Sequence, residues 1–254
     1  MLGVYTLAAR RPCWAGRATG TANDRADDCY NRLSPSPISR VEVPVTNPIT
    51  RFFRSRKYGQ PVIVVSGLPR SGTSMMMRML DAAGLEILTD HERSADIDNP
   101  KGYYEHERVK NLEGDPDKSW VRGARGKVLK VISHLLKDLP DENFYKIVFM
   151  RRDLDEVVAS QNKMLERRGE DNPIDDQATK DYYLRHLIQV KFLVRNRANM
   201  EILEVHYRQA LDEPDRFVRD VVRFLDGSLD SEAMVSVVDE NLYRNRKEKL
   251  RESS

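Results

Sequence analysis

Two short segments carry residue types suited to gripping phosphate. Gly67-Leu-Pro-Arg-Ser-Gly-Thr-Ser74 follows the β-branched run Pro61-Val-Ile-Val-Val-Ser66 and precedes a methionine-rich apolar stretch. Gly67 and Gly72 permit a tight turn and a close backbone approach to an anion, and the amides and dipole of a following helix start attract negative charge. The spacing G-x-x-x-x-G is that of a phosphate-binding loop, but Thr73 stands where a nucleoside triphosphatase carries lysine. That lysine normally reaches the β/γ-phosphates, so its replacement argues against ordinary ATP or GTP chemistry. Glycine-containing strand–helix turns also occur without any ligand, and the loop alone is a weak signal.

The second segment is Arg152-Asp-Leu-Asp-Glu-Val-Val-Ala-Ser160, directly after a run expected to be a strand at residues 145–150. Arg152 then sits at a strand's carboxyl end, where α/β sheets bind ligands. Ser160 lies seven residues beyond Asp153 and returns to the same helix face two turns on. Arginine plus hydroxyl makes a charge-assisted, directional claw for a second phosphate group. The same residues also fit a surface Arg–Asp pair and an ordinary helical serine.

These segments need rigid elements to hold them. From residue 61 onward, short apolar runs alternate with amphipathic stretches. Residues 61–66, 127–133, 145–150 and 201–207 read as strands, and 85–88 as a further short one. Residues 71–83 read as a helix buried against the sheet, because Met75, Met76, Met77, Met79 and Leu80 leave little polar face; the methionines are core packing rather than a sulfur ligand set. Residues 89–102 are a polar loop and 103–112 a short helix. A helix over 153–168 starts with Asp153 as N-cap and Glu156 three residues later. Tyr183, Leu187, Val190 and Val194 mark a long helix over 176–199, and Pro214 opens another carrying Phe217, Val218, Val221, Val222 and Leu225. Strands separated by helices imply right-handed crossovers, hence a three-layer α/β domain with a central parallel sheet.

Composition sets outer bounds. The 254 residues hold 42 Lys+Arg against 40 Asp+Glu, a net charge of +2 that argues against a chain built to wrap nucleic acid. No apolar run approaches the ~20 residues of a membrane-spanning helix. Both cysteines, Cys13 and Cys29, lie near the start, so the core needs no oxidising compartment and a reducing cytoplasm is expected. Residues 1–60 stand apart: proline-rich at 33–38 and 43–48, arginine-rich and acid-poor before 41. They read as a disordered or extended segment, with a faint likeness to a transit peptide, ahead of a domain spanning 61–254.

On these motifs the chain resembles the sulfotransferases that use 3′-phosphoadenosine 5′-phosphosulfate (PAPS). Pro69-Arg-Ser-Gly-Thr-Ser74 looks like their 5′-phosphosulfate loop, with wording closest to tyrosylprotein and bacterial members, and Arg152…Ser160 looks like their 3′-phosphate motif. The likeness covers about residues 61–226 and extends to Tyr207…Leu211…Pro214. It implies a fold of the P-loop type, PAPS as donor and no metal. It also implies donor-binding roles for Arg70, Ser71, Gly72, Thr73, Ser74, Arg152 and Ser160. Arg70 would touch the phosphosulfate, and Lys130 resembles the family lysine at the sulfuryl oxygens or leaving group. For a base that takes the acceptor's proton, the resemblance points first to Asp90 with its neighbours His91 and Glu92. Glu105 comes next, then His134, which falls four residues after Lys130 rather than two.

The acceptor is open among carbohydrate, peptidyl tyrosine, lipid and small phenol, because such specificity resides in loops without a readable code. The loop at 89–104, with its two tyrosines, is expected to shape that pocket. Arg244, Arg246, Lys247, Lys249 and Arg251 fit either a reach toward the 3′-phosphate or a solvated helix end. Two other functions stay compatible with the motifs: a P-loop kinase of small metabolites, disfavoured by Thr73, and a non-catalytic domain that only binds the nucleotide.

Overall fold

A strand that is apolar at every position suits an interior place in a sheet covered on both faces, and the first β-branched run takes that place. The computed structural model describes residues 48–90, 104–170 and 174–238, all within one unit spanning Val41–Ser254. Strands β1 (Val62–Gly67), β2 (Val128–Lys130), β3 (Tyr145–Arg151) and β4 (Met200–His206) form one parallel sheet in the order β2-β1-β3-β4. Every residue of β1 and β3 is buried. The helices are α1 (Pro48–Tyr58), α2 (Thr73–Ala82), α3 (Glu107–Lys110), α4 (Leu154–Arg168), α5 (Asp176–Asn196), α6 (Tyr207–Asp212), α7 (Pro214–Leu225) and α8 (Ser231–Ser236). Two 3₁₀ turns, Ser119–Ala124 and Ser133–Asp138, flank β2. No described helix is long and apolar enough to cross a membrane.

Strand alternation divides the core. Ile63, Val65, Val148, Met150, Leu203 and Val205 point to the side of α2 and α7, where the α2 methionines Met75, Met76, Met77 and Met79 and α7's Phe217, Val221 and Phe224 fill one cluster. The methionines are packing residues, as their spacing suggests. The opposite face carries Arg151 and Glu204, 2.8 Å apart, and α5 closes over it with Lys191 3.4 Å from Glu204. The result is the expected three-layer α/β arrangement.

Register decides the function of this frame. Gly67 pairs with Met150 and Arg151 with His206, so β1, β3 and β4 end at nearly one level. The chain leaving β1 and the chain leaving β3 therefore emerge side by side. This is how a parallel sheet brings distant segments together.

The elements differ from the sequence reading in several places. Residues 48–58, within the stretch expected to lack regular structure, form α1, whose Arg54 and Tyr58 make inward contacts to Phe144. Residues 85–88 contribute a single bridge, Ile87 to Val128, instead of a strand. The run at 127–133 is a strand only through Lys130, because Leu135 and Leu136 bury themselves from the 3₁₀ turn that follows. The helix expected over 103–112 contracts to α3.

Candidate active site

The loop after β1 is shaped by backbone geometry that few residues accept. Arg70 has φ 67° and Gly72 φ 100°, both left-handed. Ser71 closes the turn on itself, its amide and hydroxyl both donating to the Leu68 carbonyl at 3.2 and 2.7 Å. Ser71 is thereby buried, and its hydroxyl is committed inside the loop. Gly72 is the N-cap of α2, its carbonyl accepting from Met75 and Met76. Gly72 supplies no side-chain cap, and the first-turn amides and dipole at such a helix start favour an anion. A Cβ on Gly72 would lie 2.4 Å from Cδ2 of Tyr207, so the loop rests directly on that ring.

The loop after β3 arrives at the same place. Arg152 Nη1 donates to the Arg70 carbonyl at 3.1 Å, and Arg70 Nε donates to Ser160 Oγ at 3.1 Å. Arg152 is held from two further sides: Nε donates to Glu156 Oε2 at 3.0 Å, and its guanidinium lies 4.9 Å from the Tyr207 ring centre. Glu156, read from spacing as part of a cap, is buried and serves this arginine one helical turn away. Asp153 caps α4 as expected, accepting from the Asp155 amide at 3.0 Å.

Lys130 ends β2 on the α2 side of the sheet and is 8% exposed, so it does not point outward into solvent. Its Nζ lies 3.4 Å from Ser74 Oγ and 3.3 Å from Glu105 Oε1. Glu105 is presented by an unusual piece of backbone. Tyr104 before it has φ 51°, costly for an aromatic residue, while Thr89 Oγ1 donates to the Glu105 carbonyl at 2.8 Å. Tyr104 itself donates to Asp81 Oδ2 at 3.1 Å, and burial together with that carboxylate raises its pKa.

The other base candidates go elsewhere or lie outside the described residues. Asp90 accepts from the Glu107 amide at the start of α3 and sits 3.8 Å from His106 Nδ1. His134 stacks on His186 with ring centres 3.7 Å apart and meets the Tyr182 hydroxyl at 3.0 Å, which ties it to α5. His91, Glu92 and the basic residues from Arg244 to Arg251 are not among the described residues. Among the described residues, no three His, Cys, Asp or Glu side chains gather as a metal-holding group.

The arrangement thus joins a helix start, two guanidiniums and an ammonium at the carboxyl end of three strands, with one carboxylate beside the ammonium. It can hold an extended anion at two points and stabilise charge developing between them. The contacts of Glu156 and Tyr207 with Arg152 are what sequence reasoning missed, and the one signal that could have found the first is its i+4 spacing from Arg152.

A family profile described as sulfotransferase domain matches residues 60–253. Similar solved structures include a sulfotransferase domain from the curacin biosynthetic pathway, at 11% identity and TM-score 0.43, covering 76% of this chain and 90% of that one. A mouse sulfotransferase complexed with PAP aligns at 16% identity and TM-score 0.40, covering 70% and 62%. A sulfotransferase from Alicyclobacillus acidocaldarius aligns at 15% identity and TM-score 0.39, covering 76% and 99%. Among curated proteins, none matches this chain in sequence.

Proposed function

The chain belongs to the sulfotransferase family, and from that premise we propose that it moves a sulfuryl group from PAPS to a hydroxyl or amine acceptor. The observation that carries this reading is the bond between motifs 82 residues apart, Arg152 Nη1 to the Arg70 carbonyl at 3.1 Å. A donor with a 5′-phosphosulfate and a 3′-phosphate needs two anion sites within one nucleotide's length. The loop from Arg70 to Ser74 fits the first, and Arg152 with Ser160 the second.

In this reading the amides of Gly72, Thr73 and Ser74 and the Arg70 guanidinium orient the phosphosulfate. Lys130 faces the bridging oxygen that gains negative charge as the sulfur–oxygen bond to the nucleotide breaks. Glu105 takes the acceptor's proton as the new sulfur–oxygen bond forms, leaving 3′,5′-ADP and the sulfated product. Its place beside Lys130 favours it over Asp90, whose carboxylate serves the start of α3. Residues 61–254 act as the catalytic domain in a reducing, cytoplasmic setting, on a small-molecule, carbohydrate or peptide acceptor.

The test is thermal and chemical together. 3′,5′-ADP should raise the melting temperature without added metal, and Arg152→Ala should abolish that shift. Transfer of labelled sulfate to an acceptor panel should fall by a factor of about 100 or more in Lys130→Ala and Glu105→Gln. Undiminished transfer in both would remove these role assignments.

A further inference from the structure

Helix α1 presents a face that the transfer reaction does not use. Its eleven residues, Pro-Ile-Thr-Arg-Phe-Phe-Arg-Ser-Arg-Lys-Tyr, hold four cations and no acid. At 100° per residue, Arg54 and Tyr58 share one side, and these make the inward contacts. Arg54 pairs with Glu201 and lies 4.7 Å from the Phe144 ring centre, and Tyr58 packs on the same ring at 6.2 Å. Phe52, Arg56 and Phe53 follow in that angular order around the far side, Lys57 returns to the edge of the inward side with its Nζ 4.7 Å from the Tyr58 ring centre, and all four are exposed. The two phenylalanines are 62% and 64% exposed and meet edge to face at 5.8 Å. Large apolar side chains rarely protrude as an adjacent pair without a partner.

We propose that this arc is a docking ridge for an anionic lipid surface. Aromatic rings alternating with cations on one side of a short helix suit the boundary between headgroups and acyl chains. The rings sink into the apolar layer while the longer cationic side chains reach back to lipid phosphates. Charge complementarity selects this occupant. The nearest β4 carboxylate, Glu201, is already neutralised by Arg54.

A second copy of the chain fits poorly, because a two-fold contact would set Arg56 and Lys57 against themselves. A polynucleotide fits poorly too. The rings form an edge-to-face wedge rather than a flat stacking platform, and a chain of net charge +2 offers no long basic track. The orientation is also compatible with catalysis. Phe144 and Glu201 lie where β3 and β4 begin, so α1 occupies the end of the sheet opposite the phosphate loop, and docking there leaves the cleft facing water.

The experiment is vesicle co-sedimentation of the full chain, with phosphatidylcholine alone and with a 70:30 mixture of phosphatidylcholine and phosphatidylserine. Partition to the mixed vesicles should exceed that to neutral ones by about tenfold or more at low salt, and fall as salt rises. Arg56→Gln/Lys57→Gln should remove most of the difference, while Phe52→Ser/Phe53→Ser should weaken binding at every salt concentration. Melting temperatures should change little: the phenylalanine pair lies clear of Arg54 and Tyr58, and Lys57→Gln gives up only an exposed contact of its Nζ, 4.7 Å from the Tyr58 ring centre. Equal partition to both vesicle types, or full binding by either double variant, would overturn the proposal. So would a lipid-free dimer abolished by the phenylalanine substitutions, or oligonucleotide binding stronger than vesicle binding and lost in the same variants.

Discussion

Gly72 meets two demands at once: a left-handed backbone at φ 100°, and no side chain where Tyr207 lies 2.4 Å from the place a Cβ would take. Gly72→Ala should therefore cost well over 1 kcal/mol of stability, strain and clash acting together. It should also weaken 3′,5′-ADP binding, because the displaced ring is the surface under Arg152. Gly114→Ala is the control, with open space around the new methyl and an ordinary φ, and should be near neutral. Melting curves and calorimetric titration of both variants check this. At this scale the sequence was informative where chemistry and spacing coincide, as in the loop glycines, Arg152 and Ser160. It was silent where a partner arrives from another part of the chain. Nothing in the spacing of Glu105 and Lys130, 25 residues apart, announces that they meet at 3.3 Å.

Between elements, the joint of the 3₁₀ turn Ser133–Asp138 with α5 is made by two stacked imidazoles. His186 meets Ser133 Oγ at 2.8 Å and the His134 ring face to face. Burial pushes the pKa of His186 down to about 4, and burial with nearby Lys137 lowers that of His134. Because the folded state resists protonation that the unfolded chain accepts near pH 6.5, stability should be full above that pH. It should decline as pH falls toward 4. His186→Phe should flatten this dependence in a series of melting curves between pH 7 and 4. Strands such as β1 and β3 were legible because a continuous apolar run has few other homes. Helix α1 was not, since its anchoring depends on a ring and a carboxylate outside its own sequence. The short α6 and α8 likewise take their form from packing on neighbours.

Across the molecule, β1 is hydrogen-bonded along its length on both sides, while β2 is three residues long with the single Ile87–Val128 bridge on its outer side. Native-state hydrogen exchange should find the β1 amides from Val62 to Val65 among the slowest, opening only with global unfolding, and those of β2 faster. Comparable rates in the two strands would show that the sheet does not open as one unit. The same strand order bears on biosynthesis. The first strand made is flanked in the finished sheet by two strands made much later, and no neighbour for it is translated until residues 128 and 145 have been added. A nascent chain therefore carries an adhesive Val-Ile-Val-Val stretch for several seconds at ordinary elongation rates, and premature termination before residue 151 should yield aggregates rather than soluble fragments.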